Sequence, residues 1–105
     1  MKDTREPIRV LIADDHEIMR MGLVSLLETD ELISVVGEAA DGEEAVRKAQ
    51  KLRPDVVVMD LMMPVKDGSE ATQEIKGVLP ETRILLLTTF GTADGIAHAI
   101  EAGAE

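Results

Sequence analysis

Apolar and polar positions along the chain fall into two alternating rhythms. Ile8-Arg9-Val10-Leu11-Ile12-Ala13 is a short, mostly apolar run closed by Asp14-Asp15, the pattern of a strand that ends in two acids. From His16 the period lengthens. Ile18, Met19, Gly22, Leu23, Leu26 and Leu27 recur at helical spacing, with Glu17, Arg20 and Glu28 between them. Leu32 to Val36 predicts a second strand, after which Gly37 relaxes the backbone. Asp41-Gly42-Glu43-Glu44 opens another helix, its early acids suited to the helix dipole. Ala45, Val46, Ala49 and Leu52 form its inner face, and Pro54 stops it. Val56-Val57-Val58-Met59 then runs into Asp60 as a third strand, buried on both faces. A loop with Pro64, Asp67 and Gly68 leads to a helix from about Ser69 to Val78, with Ala71, Ile75 and Val78 inward and Pro80 at its end. Arg83-Ile84-Leu85-Leu86-Leu87 is the fourth strand, closed by Thr88-Thr89. Thr92 can cap a last helix in which Ile96, Ala97 and Ile100 face in, with Gly103 near its end.

Strand and helix alternate throughout, without linker, low-complexity tract or internal repeat. That alternation predicts an α/β fold: a doubly wound parallel sheet with helices on both faces and right-handed crossovers. Parallel strands end on one rim. Asp14-Asp15, Asp60 and Thr88 close strands one, three and four, so they should converge there, where open α/β sheets bind their ligands.

Composition narrows the classes. At 105 residues the chain is one domain with a single, small core, and 45% hydrophobic residues with Phe90 as the lone aromatic make that core aliphatic. The formal charge of −10 argues against direct nucleic-acid binding, which needs clustered Lys and Arg. No Cys is present, which removes disulfides, thiolate metal sites and Cys nucleophiles. No apolar stretch approaches membrane-spanning length and the polar start is no signal peptide, so a cytoplasmic protein is expected.

Taken singly, each rim residue has an ordinary reading. An Asp after a strand forms a turn or caps a helix, as Asp15 could, and a Thr hydroxyl there usually satisfies backbone. Jointly they say more. Three acids on one rim, with no Arg or Lys in those segments, require a proton or a cation among them. An all-oxygen set favours a hard ion, and magnesium fits: it takes few carboxylates and keeps waters that phosphate oxygens can replace. A carboxylate beside such an ion can attack phosphorus to form an aspartyl phosphate, with Thr88 hydrogen-bonding the product. No Gly-rich nucleotide loop follows any strand, so the phosphate must come from another molecule. An enzyme reading, a phosphatase working through an aspartyl phosphate, usually wants a second acid two residues past the nucleophile. Met62 stands there instead.

Val10-Leu11-Ile12-Ala13-Asp14-Asp15-His16, the run from Val56 through Asp60 to Pro64, Asp67-Gly68 and Leu85-Leu86-Leu87-Thr88 together resemble the receiver domain of bacterial two-component response regulators. The likeness covers the whole chain. Ala13-Asp14-Asp15-His16 and the segment from Val36 through Asp41-Gly42-Glu43-Glu44 to Ala45 look most like the branch with a C-terminal LuxR-type helix-turn-helix domain. The resemblance implies a flavodoxin-like sheet of strand order 2-1-3-4. It implies Asp60 as phosphoacceptor, with Asp15, Asp60 and the Met62 backbone carbonyl as magnesium ligands. Asp14 would support the ion through water, and Thr88 would be the switch hydroxyl. It further implies a sensor histidine kinase as donor, homodimerisation on phosphorylation, and control of an output domain that residues 1–105 do not contain. A receiver-like domain that signals by protein contact without phosphorylation is the alternative. The pattern departs from the family in three places. The expected Lys, aromatic switch residue, fifth strand and fifth helix would lie past Glu105, leaving Ile84–Leu87 as a bare sheet edge. Val65 stands where Gly or Asn is common, so the loop there either bends differently or stores some strain. Phe90 is expected to be partly exposed at the mouth of the site.

Overall fold

The computed structural model describes residues 6–87. Thr88, Thr89, Phe90 and the helix expected from Thr92 lie outside the described residues. Within them the elements run β1 (Ile8–Ala13), α1 (Glu17–Leu27), β2 (Ile33–Ala39), α2 (Gly42–Leu52), β3 (Val56–Asp60), α3 (Gly68–Val78) and β4 (Arg83–Leu87). All strand pairs are parallel, and their order is β2-β1-β3-β4, as the resemblance implies.

Period-two alternation divides the core in two. From β1 and β3, Leu11, Ala13, Val57 and Met59 join Ala45 and Ala49 of α2 and Ala71 and Ile75 of α3. Their neighbours Val10, Ile12, Val56 and Val58 point the other way, onto Leu23 and Leu27 of α1. Among the described residues one helix therefore covers one face and two cover the other, which is why both central strands read as continuous apolar runs. Short side chains on α2 and α3 let those helices sit close to the sheet.

Four sequence expectations are corrected. The second strand begins at Ile33 and continues through Gly37 to Ala39, whereas the expected strand ended at Val36. Its pairing with β1 slips between Val10 and Leu11, whose partners are Val35 and Gly37, so Val36 is the extra residue of a bulge. Gly37 is thus an in-strand residue packed under the Leu52 and Leu11 side chains. On α1 the inward stripe is narrower than its apolar spacing implied, because Ile18 is 86% exposed and Met19 and Leu26 are also exposed. On α3, Val78 faces out and Leu79, just past the helix, fills the inward place.

Helix boundaries follow local chemistry. Asp41 caps α2 by accepting from the Glu44 N–H, and Arg53 ends it in the left-handed region (φ 49°) ahead of Pro54. Asp67 and Glu70 form a reciprocal capping box, which starts α3 at Gly68, one residue earlier than expected. No helix among the described residues is long and apolar enough to cross a membrane.

Candidate metal and phosphoryl site

Register brings the acids together. In the β1–β3 pair, Val10 lies opposite Val56, Ile12 opposite Val58 and Ala13 opposite Met59. One step on, Asp14 meets Asp60. Both continue the even-numbered series that faces α1, and neighbouring strands lie only about 4.8 Å apart. The two carboxylates therefore emerge on one side of adjacent strand tips, at the point where the strand order reverses. Asp15, the first residue past Asp14, supplies the third acid.

Asp14 is 3% exposed, and its Oδ1 accepts from the His16 backbone N–H at 2.8 Å, closing a tight turn. His16, rather than Asp15, is the N-cap residue of α1. Arg20 on the first turns of α1 donates from Nη1 to the Asp14 carbonyl at 2.6 Å and from Nε to Glu38 Oε1 at 3.1 Å. That guanidinium ties the helix to the tips of β1 and β2. It is spent on the carbonyl and Glu38, so the carboxylates gain no cation from it.

The β3–α3 loop fixes Asp60. Asp60 Oδ1 accepts from the Met62 N–H at 3.2 Å, and the Gly68 N–H donates to the Leu61 carbonyl at 2.9 Å. A Cβ on Gly68 would meet the Asp60 carbonyl at 2.6 Å, so only glycine lets α3 start this close to the strand tip. Val65 takes φ 69°, and the Lys66 N–H reaches back to the Pro64 carbonyl at 2.7 Å. This is a γ-turn of the strained, positive-φ kind. Of the two outcomes expected at Val65, the loop keeps the bend and carries the strain.

One atom of each of Asp14, Asp15, His16 and Asp60 lies within 4.8 Å of all the others. His16 Nδ1 is 3.0 Å from Asp14 Oδ1, 3.3 Å from Asp15 Oδ1 and 3.6 Å from Asp60 Oδ2. Burial, reinforced by the charges of Asp14 and Asp15, pushes the Asp60 carboxyl above its usual range, while the Met62 N–H opposes the shift. The hydrogen bond to Asp14 and the charge of Asp15 hold the His16 imidazolium above its ordinary pKa. Negative charge is thus crowded at one point, and the donor set of three carboxylates could hold a metal ion. The five residues assigned from sequence divide between the described segment and the rest. Asp14, Asp15 and Asp60 meet, the Met62 backbone folds over Asp60, and Thr88 lies outside the described residues. His16 was not assigned a role. The signal that could have found it is the Asp-x-His spacing, which a turn closed by Asp14 folds back over the acids.

Comparison with known proteins agrees with this architecture. Residues 10–105 match the response regulator receiver domain family. Response regulator protein VraR of Staphylococcus aureus is 47% identical over 98 residues, covering 93% of this chain and 47% of that protein. The chain therefore spans about half the length of such curated relatives. A LuxR-family two-component response regulator from Aurantimonas sp. superposes with a TM-score of 0.76 at 40% identity, over 93% of this chain and 70% of the other. A chain of the CheX–CheY–BeF3–Mg2+ complex from Borrelia burgdorferi superposes with a TM-score of 0.75 at 27% identity, over 93% and 73%. With strand order, acidic rim and sequence in agreement, this chain belongs to the response regulator receiver domain family of two-component systems.

Proposed function

We propose that this chain accepts a phosphoryl group on Asp60 from a phosphohistidine of a sensor histidine kinase, and that the modified form controls a transcriptional output domain, with homodimerisation on phosphorylation. The observation that carries the proposal is the meeting of Asp60 with Asp14 and Asp15 at adjacent strand tips.

The chemistry follows from the donor set. An Asp60 carboxylate oxygen attacks phosphorus as the bond from phosphorus to the donor nitrogen breaks, and the leaving imidazole keeps the electron pair. Asp15, Asp60 and the Met62 carbonyl would hold magnesium, with Asp14 supporting it through water. When bound, the ion offsets the charge on the transferring oxygens. The fit rests on three carboxylates gathered, among the described residues, without an Arg or Lys paired to them, an oxygen-rich set of the kind magnesium uses. The Borrelia complex, which contains Mg2+ and BeF3, supports the same choice by analogy. Asp14 and Asp15 would position the ion, the Met62 N–H orients the Asp60 carboxylate, and Thr88 is assigned the product hydroxyl contact. Such a domain is a phosphoryl acceptor rather than a conventional enzyme.

The test is incubation with acetyl phosphate and magnesium followed by intact mass. A gain of one phosphoryl group that disappears in Asp60→Asn is the expected result. No gain in the wild-type chain would leave signalling by protein contact as the better reading. Turnover of a phosphorylated substrate would point to the phosphatase class instead.

A further inference from the structure

We infer that His16 is a nitrogen donor to the cation at this rim, so that the site holds a borderline transition ion more firmly than an all-oxygen set would. The inference rests on the metal-site reading above and adds a ligand to it.

Geometry carries the argument. For an ion with donors at about 2.1 Å, neighbouring donors in an octahedron stand about 3.0 Å apart. Longer metal–ligand distances widen that spacing in proportion. His16 Nδ1 stands 3.0, 3.3 and 3.6 Å from one oxygen each of Asp14, Asp15 and Asp60. One ring nitrogen thus stands near shared-shell separations from Asp15 and Asp60, the two carboxylates assigned to the ion, and beside Asp14, which supports it through water. The backbone turn that Asp14 closes on the His16 N–H holds the residue at the rim, independently of any ring contact. The ring is mostly exposed, and its Nδ1 hydrogen bond to Asp14 is what places it over the acids; an ion entering there takes the Nδ1 lone pair as the proton leaves to solvent.

Chemistry then selects the ion. Magnesium prefers oxygen and gives up water reluctantly, whereas imidazole suits cobalt, nickel, zinc and iron. A rim of three carboxylates and one imidazole should therefore widen the ordinary preference for cobalt over magnesium. Every oxygen site favours cobalt to some degree. The diagnostic quantity is accordingly the change in the cobalt-to-magnesium affinity ratio when His16 alone is removed.

The experiment titrates CoCl2 and MgCl2 separately into the wild-type chain, His16→Ala and Asp15→Ala, by calorimetry and by the visible spectrum of bound cobalt. The expected result is a cobalt affinity about tenfold lower in His16→Ala, on the scale of losing a residue that supports a metal site, with magnesium affinity nearly unchanged. The cobalt spectrum should also move as a nitrogen donor is replaced by oxygen. Asp15→Ala should lose both ions. An unchanged ratio and spectrum in His16→Ala, with both ions still bound, would overturn the nitrogen ligand while leaving the carboxylate site intact. Failure of both ions to bind the wild-type chain would overturn the site and the ligand together.

Discussion

At the scale of single residues, the rim concentrates two opposed costs. Val65 holds φ 69° on a β-branched residue, a conformation that costs on the order of 1–3 kcal/mol. Its side chain is 75% exposed, so replacing it sacrifices little packing. Val65→Gly removes the strain but adds roughly 0.5–1 kcal/mol of backbone entropy in the unfolded chain. Strain relief is the larger quantity, so urea denaturation should show a net gain of about 1 kcal/mol; a loss would mean the γ-turn is not strained. Asp60 carries the second cost. Its pKa is raised in the fold by burial and by Asp14 and Asp15. Folding thus favours the protonated form, and its contribution is fully present below the unfolded value of about 4 and lost as pH rises through the folded one. Without metal, Asp60→Asn should therefore be more stable than wild type at pH 7. The advantage should vanish toward pH 4, and an equal gap at both pH values would rule out charge as its origin. The sequence disclosed the acids because each ends an apolar run. It set His16 beside the acids in sequence but gave it no role, since the backbone turn that carries its ring to them leaves no periodic trace.

At the scale of elements, legibility tracked how many faces of an element are covered. β1 and β3 are covered on both, so every residue from Val10 to Ala13 and from Val56 to Met59 had to be apolar, and their limits could be read directly. β2 lies at the sheet's edge with five of its seven residues only partly buried, so no run marked its end and nothing marked the bulge at Val36. On α1 the spacing included Ile18 and Met19 in the inward stripe, but the first turn stands at the rim past Ala13, and no strand lies beneath it. Spacing reports which side a residue is on, not whether anything reaches it. Packing between elements is close where α2 begins. A Cβ on Gly42 would fall 1.8 Å from the Lys66 carbonyl, a backbone atom of the loop that carries the γ-turn. Alanine gains up to about 1 kcal/mol over glycine in a helix interior, but that gain cannot offset a clash with main chain. Gly42→Ala should lose about 3 kcal/mol by thermal or urea unfolding, in the range of backbone and overpacking defects. It should also weaken magnesium binding, because relief of the clash moves the segment between Asp60 and Asp67. A variant as stable as wild type would show that α2 and the loop are less tightly apposed.

At the scale of the whole molecule, the sheet's order and direction are what bring two separate stretches of sequence to one rim. Strand direction put the acids on a common rim, while strand order and register set Asp14 against Asp60. Alternation of elements foretold the first; the order entered only through the family resemblance, because periodicity says nothing of which strands are neighbours. The crowding of acids at the rim bears on stability as well. The chain carries a formal charge of −10, and part of the repulsion is focused at that rim. An ion that binds only the folded rim stabilises it by mass action, about 2.7 kcal/mol at a hundredfold excess over its dissociation constant. For a chain of this size that is a rise in Tm of roughly 10 °C. General screening also relieves repulsion among surface charges, so magnesium must be compared with NaCl at equal ionic strength. The wild-type chain should gain the full increment with magnesium and only a small one with NaCl. Asp15→Ala should respond to both salts alike, because it keeps the net acidity but loses a ligand. If magnesium raises the Tm of Asp15→Ala as far as that of wild type, the stabilisation is diffuse screening and the strand tips hold no ion site.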